Sequence, residues 1–184
     1  MTRAWNVDVA IDSSGAPYCI FQARIDPGPL SGGQDSADHQ FFYARYDDAQ
    51  STWVVHSLAA AGRDIYAASP NGLEDDYTGL AALHPEDPDT VFISTPIDPR
   101  DDTALPHYEL FRGITGDGGA TWSWDPITAN SSVDNIRPIV PHSGTGDTVL
   151  VWLRGEYTTY TSWATEVVAL TEITGLVPAP ALPQ

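Results

Sequence analysis

Positive charge is scarce in this chain, and that scarcity excludes several functions. Of 184 residues, 8 are Lys or Arg and 25 are Asp or Glu, a formal net charge of −17. A surface of that sign repels a phosphate backbone, so nucleic acid is not an expected partner. It repels anionic membranes as well, and no run approaches the roughly 20 apolar residues of a membrane span. A polyanionic ligand fits only where the few Arg and His side chains gather. The single cysteine, Cys19, cannot form an internal disulfide. It lies in the apolar run Tyr18-Cys-Ile-Phe21 and reads as a buried strand residue. No basic segment followed by an apolar stretch marks a signal peptide. Helical periodicity is almost missing: only Leu58-Ala-Ala-Ala-Gly62 looks mildly helical, stopped by Gly62.

Strand formers and turn residues are abundant instead. Six Trp and eight Tyr favour strands, and fifteen Gly with fifteen Pro imply many turns. The strand-like runs repeat. Val7–Ile11, Tyr18–Ala23, Phe41–Tyr46 and Trp53–Leu58 make one unit. Tyr77–Leu83, Val91–Thr95, Tyr108–Ile114 and Trp122–Trp124 make a second, with the same order of turns and gaps. Ile136–Val140, Val149–Leu153 and Ser162–Leu170 make a third that lacks its fourth strand. This rhythm predicts an all-β fold: a partial β-propeller of two four-stranded blades and a three-stranded one. The blades span about 5–58, 77–127 and 136–170 within a propeller region of 1–172, and the Pro/Ala-rich tail 173–184 reads as disordered. An immunoglobulin-like sandwich explains the short strands but not the repeat.

One hairpin carries a recognisable motif. Thr115-Gly-Asp-Gly-Gly-Ala-Thr-Trp122 matches Ser/Thr-x-Asp-x-Gly-x-Thr-Trp, the Asp-box pattern. Asp117 can accept backbone N–H bonds within the turn, Gly119 can take a positive φ, and Trp122 can pack beneath. With Thr115, these are structural residues. Tyr46-Asp-Asp-Ala-Gln-Ser-Thr-Trp53 keeps Asp48 and Trp53 but loses the glycine, and so looks like a degenerate copy.

Beyond the box, Glu74–Pro88, His107–Gly113, Asp134–Pro141 and Trp152–Thr161 resemble the BNR-4 repeat family, which is similar to the propeller polysaccharide lyases of the ulvan-cleaving type. The resemblance covers roughly residues 5–170. It implies the C-terminal part of a longer, secreted or extracytoplasmic, carbohydrate-active propeller that acts on a uronic-acid-containing glycan by β-elimination. Two rivals stand beside it: a sialidase-like glycoside hydrolase, since sialidases share Asp boxes, and a non-catalytic propeller module that binds glycan or protein. Without further blades the open sheet edges are expected to recruit the missing blades or to self-associate, and the isolated chain is expected to be inactive.

Propeller connectivity sorts the loops into two rims. Short turns at 12–17, 46–52, 84–90, 115–121 and 142–148 share one rim; long loops at about 24–40, 59–76, 96–107, 125–135 and 154–161 share the other. Long loops on a rigid scaffold are where function concentrates. A lyase must neutralise a uronate carboxylate, remove the C5 proton and protonate the leaving oxygen. Arg suits the first task because it binds carboxylates bidentately and stays charged. On that basis Arg63 is the candidate neutraliser, with His39 and Tyr66 as the acid–base pair. Tyr77, His107, Arg137, Arg154 and Tyr157 are candidate substrate contacts. Glu74-Asp75-Asp76 can hold Ca²⁺ or stand as a solvated acidic loop; no zinc spacing occurs, and no cofactor is required.

Overall fold

A computed structural model describes residues 3–24, 39–65, 77–142, 147–159 and 161–172. Among them the fold is all-β, with eleven strands in three antiparallel sheets. Blade 1 holds β1 (Arg3–Ile11), β2 (Pro17–Arg24), β3 (His39–Asp47) and β4 (Thr52–Gly62). Blade 2 holds β5 (Ala81–His84), β6 (Asp87–Ile97), β7 (Ala104–Ile114) and β8 (Ser123–Pro126). Blade 3 holds β9 (Asp134–Ile139), β10 (Thr148–Thr159) and β11 (Ser162–Glu172). Each blade is a meander in chain order, as the repeat predicts.

The three sheets pack in series, a partial propeller rather than a two-layer sandwich. Blade 2 lies in the middle because both of its faces are apolar. Leu83, Val91, Ile93 and Phe111 join Tyr18, Ile20, Phe41 and Tyr43 of blade 1 in one buried cluster. The alternate residues Phe92 and Leu110 join Leu150 and Trp152 of blade 3 in another. A side-chain period of two sends successive residues to opposite faces, so a strand buried on both sides reads as a continuous apolar run. The run Val91-Phe-Ile93 is such a case.

Two buried tyrosines tie blade 1 to blade 2. The Tyr18 hydroxyl donates to the His84 carbonyl at 2.7 Å, and that of Tyr43 to the Pro88 carbonyl at 2.8 Å. On the same rim Arg45 bridges Asp12 at 3.0 Å and Asp89 at 3.4 Å. Between blades 2 and 3, His84 Nε2 meets Thr148 Oγ1 at 2.8 Å and His142 Nδ1 meets Glu86 Oε1 at 2.8 Å. Both histidines therefore hold neighbouring blades together on the short-turn rim.

Several expectations need correction. The Leu58–Gly62 stretch is the end of β4, not a helical turn. Pairing with β3 and packing of Ala59 and Ala61 against blade 2 outweigh alanine's weak helical preference. The predicted long loop at 154–161 is mostly β10, which runs to Thr159 and turns tightly into β11. The loop predicted at 96–107 contracts to 98–103, because Asp98 accepts from the Arg100 backbone at 3.0 Å and from its guanidinium at 2.9 and 2.6 Å.

Candidate functional site

The 115–122 hairpin closes as its sequence predicts. Asp117 accepts from the Thr121 amide at 2.9 Å, the Thr121 hydroxyl at 2.6 Å and the Thr115 hydroxyl at 2.8 Å. These bonds, that of Thr121 foremost, hold its carboxyl down to about 2. Gly119 sits at φ +101, and a Cβ there would strike the ring of Tyr43. Trp122 donates from its indole to the Gly119 carbonyl at 3.0 Å and meets Tyr43 edge-on. In the 46–53 turn the capping carboxylate is Asp47, where the sequence pattern pointed to Asp48. Asp47 accepts from the Gln50 amide at 3.1 Å, and the positive φ falls on Ser51, one position beyond the place of Gly119. This rim also carries a shallow cleft of about 500 Å³ lined by Asp12, Arg45, Asp47, Asp48, His56 and Asp117. Apart from Arg45 and His56, its ionisable lining is acidic.

The opposite rim gathers most of the candidate ligand-binding residues. Ile65, Tyr108 and Ile136 form a small buried cluster with Leu153 and Tyr157 packed against it, uniting all three blades. The Tyr108 hydroxyl donates to the Arg63 carbonyl. Burial pushes that phenol well above its ordinary range, with Asp64 the next cause, so Tyr108 stays protonated and positions Arg63. The Tyr108 amide donates to Asp134 Oδ1 at 3.1 Å, and the same oxygen faces His107 Nδ1 at 3.1 Å. Asp134 thus orients a half-exposed imidazole at the rim. The Arg137 amide donates to the Gly79 carbonyl at 2.7 Å, and the Ile65 amide to that of Tyr77. Arg63, Tyr77, His107, Arg137 and Tyr157 are therefore brought to one rim.

All eight basic residues are arginines. Arg45, Arg100, Arg112 and Arg154 each pair with a carboxylate of their own chain. Arg63 and Arg137 pair with none among the described residues. The Arg137 guanidinium carbon lies over the Tyr157 ring, 5.0 Å from its centroid, and its buried Nε has no hydrogen-bond partner. Its backbone is left-handed, φ +57. For a non-glycine residue that costs about 1–2 kcal/mol and needs surrounding structure to enforce it.

Other candidates sit elsewhere. His39 pairs in register with Arg24 and Gly62 at the same end of blade 1 but is 2% exposed, beneath the rim. Arg154 lies within β10 and bridges Glu166 on β11 at 2.9 Å. Tyr66 and the Glu74–Asp76 cluster lie outside the described residues. Among the described residues no group of three or more His, Cys, Asp or Glu is arranged to hold a metal ion.

Sequence reasoning missed Asp134 and the buried Glu109. Glu109 accepts from Ser131 at 2.7 and 2.9 Å and from Asn135 at 3.3 Å, while the Trp152 indole donates to Asn135 at 2.9 Å. This network seats the loop that presents Asp134. Nothing in spacing marks it, because its members are far apart in the chain. Compared with protein-family models, with curated proteins and with solved structures, the chain matches none.

Proposed function

We propose that the chain is part of a carbohydrate-active, extracytoplasmic β-propeller of the Asp-box kind, whose long-loop rim binds a uronic-acid-containing glycan for β-elimination. One observation carries the reading. In a chain of net charge −17, Arg137 has no carboxylate partner among the described residues, lies on an aromatic face and holds a strained backbone. A planar guanidinium left open beside an aromatic ring suits a sugar ring that bears a carboxylate.

In this reading Arg137, with Arg63 nearby, pairs with the uronate carboxylate and makes the C5 proton more acidic. His107, oriented by Asp134, takes that proton. The C5–H electron pair forms the C4=C5 double bond as the C4–O bond breaks, and the leaving oxygen collects a proton. Tyr77 and Tyr157 flank the sugar.

The test is titration of the protein with a polyuronate and with its carboxyl-reduced derivative, while near-ultraviolet absorbance follows the unsaturated product. Binding that needs the carboxylate supports the anionic site, and product supports the lyase. Equal binding of the reduced polymer rules the reading out. Binding without product favours a non-catalytic glycan module, a reading supported by the burial of His39.

A further inference from the structure

The two end faces of the blade series share a property. In blade 1 the register places Val9, Cys19, Ala44 and Val55 in one row across all four strands, on the face turned away from blade 2. The neighbouring row holds Phe21 and Phe42, stacked with centroids 5.2 Å apart. No Asp, Glu, Lys, Arg or His occupies this face of β1–β4. Val9 is nevertheless 60% exposed and Val55 49%.

Blade 3 repeats the pattern. On β11 the alternate positions from Trp163 to Thr171, and on β10 Val149 and Val151, point away from blade 2 and carry no charge. Farther along β10, Leu153 and Tyr157 turn onto the Ile65–Tyr108–Ile136 cluster, and Tyr157 lies under the Arg137 guanidinium. Ile139 continues that face on β9, in register with Val151. Val167 is 71% exposed and Trp163 59%. Acidic side chains, of which the chain has 25, are thus absent from both sets of outward positions. Large exposed apolar patches of this kind mark interaction sites.

We propose that the two faces dock on each other between two copies of this chain, blade 3 of each copy on blade 1 of the other, closing a six-bladed ring. Both partner surfaces are already present on one chain, and both are apolar and free of acidic side chains. Three blades are half of six, within the range of about four to eight that propellers use. Such a head-to-tail contact closes after two copies, so it yields a discrete dimer rather than a filament. Strands about 4.8 Å apart and roughly eight residues long, at about 3.3 Å per residue, give a four-stranded face on the order of 500 Å². Two junctions engage two four-stranded faces of blade 1 and two three-stranded faces of blade 3, about 1,800 Å² in all, which suffices for a stable specific interface. Closure also completes the channel wall beside Arg137.

Light scattering and sedimentation equilibrium on the 184-residue chain test this. The expected mass is twice the chain's 19.9 kDa, with association tightening as salt screens the rim charge. A monomer mass, or an open-ended series of oligomers, overturns the proposal. Val55→Lys and Val167→Lys, at exposed positions, should each give a monomer with an unchanged far-ultraviolet spectrum; a wild-type dimer constant in either overturns it. An equimolar mixture of the two variants retains one intact junction and should partly recover the dimer, and no recovery overturns the head-to-tail arrangement. Independently of any variant, reaction of Cys19 with a thiol reagent should slow as protein concentration rises. A concentration-independent rate overturns the proposal.

Discussion

Arg137 lies over Tyr157, its guanidinium carbon 5.0 Å from the ring centroid, and no carboxylate among the described residues pairs with it. Acidic side chains among the described residues pair with other arginines, with histidines or with backbone and hydroxyl donors instead. Substitution by Asn, which tolerates left-handed backbone, separates binding from folding. Arg137→Asn should leave unfolding free energy within about 1 kcal/mol of wild type, because a strained, part-exposed side chain adds little. Affinity for a polyuronate should fall at least about tenfold, roughly 1.4 kcal/mol, by calorimetric titration. A large stability loss with unchanged affinity would make Arg137 a structural residue.

The rim histidines should behave differently from each other. His107 is half-exposed and touches Asp134, which keeps its bond from the Tyr108 amide without it. His107→Ala should change stability by less than about 1 kcal/mol while lowering turnover or affinity of the intact protein. His39 is buried, so His39→Ala should cost about 1–3 kcal/mol through polar partners left unsatisfied. Urea unfolding with parallel glycan titration distinguishes them.

Acid should open the Asp117 hairpin. The Asp117 and Asp12 carboxyls lie at about 2 in the folded chain against 3.8 ordinarily, the first held by Thr121 and the second by Ser14 before all else. A depressed folded value means stabilisation that is complete above about pH 4 and is lost as pH falls toward 2. Stability measured by tryptophan fluorescence should decline across that window, and Asp117→Asn should flatten the decline. A pH-independent wild type there would contradict the bonding described.

Alkali should weaken the junction between blades 1 and 2. Burial raises the Tyr18 phenol to about 12 and pushes that of Tyr43 up as well. Raised folded values mean stabilisation that is full below about pH 10 and is lost as pH climbs through 12. Tyr18→Phe and Tyr43→Phe should each cost about 1 kcal/mol at neutral pH for the lost bond to blade 2. The double variant should show a shallower alkaline slope than wild type, Tyr108 keeping its own share, read by chemical denaturation at several pH values.

Much of the architecture was legible in the amino-acid order. Alternating apolar residues, turn clusters and the repeated sequence of runs specify strands and their meander locally, and Thr115–Trp122 specifies its own hairpin through bonds between near neighbours. Other features were decided only by tertiary packing. Leu58–Gly62 became strand because β3 was there to pair with it, and Asp98 with Arg100 shortened a loop that length alone made look long. Asp134 meets His107 across a strand gap, and Arg137 meets Tyr157 only once β9 and β10 are paired. Local bonds are written in adjacent residues, whereas burial, charge isolation and the meeting of distant side chains exist only after the sheets have stacked.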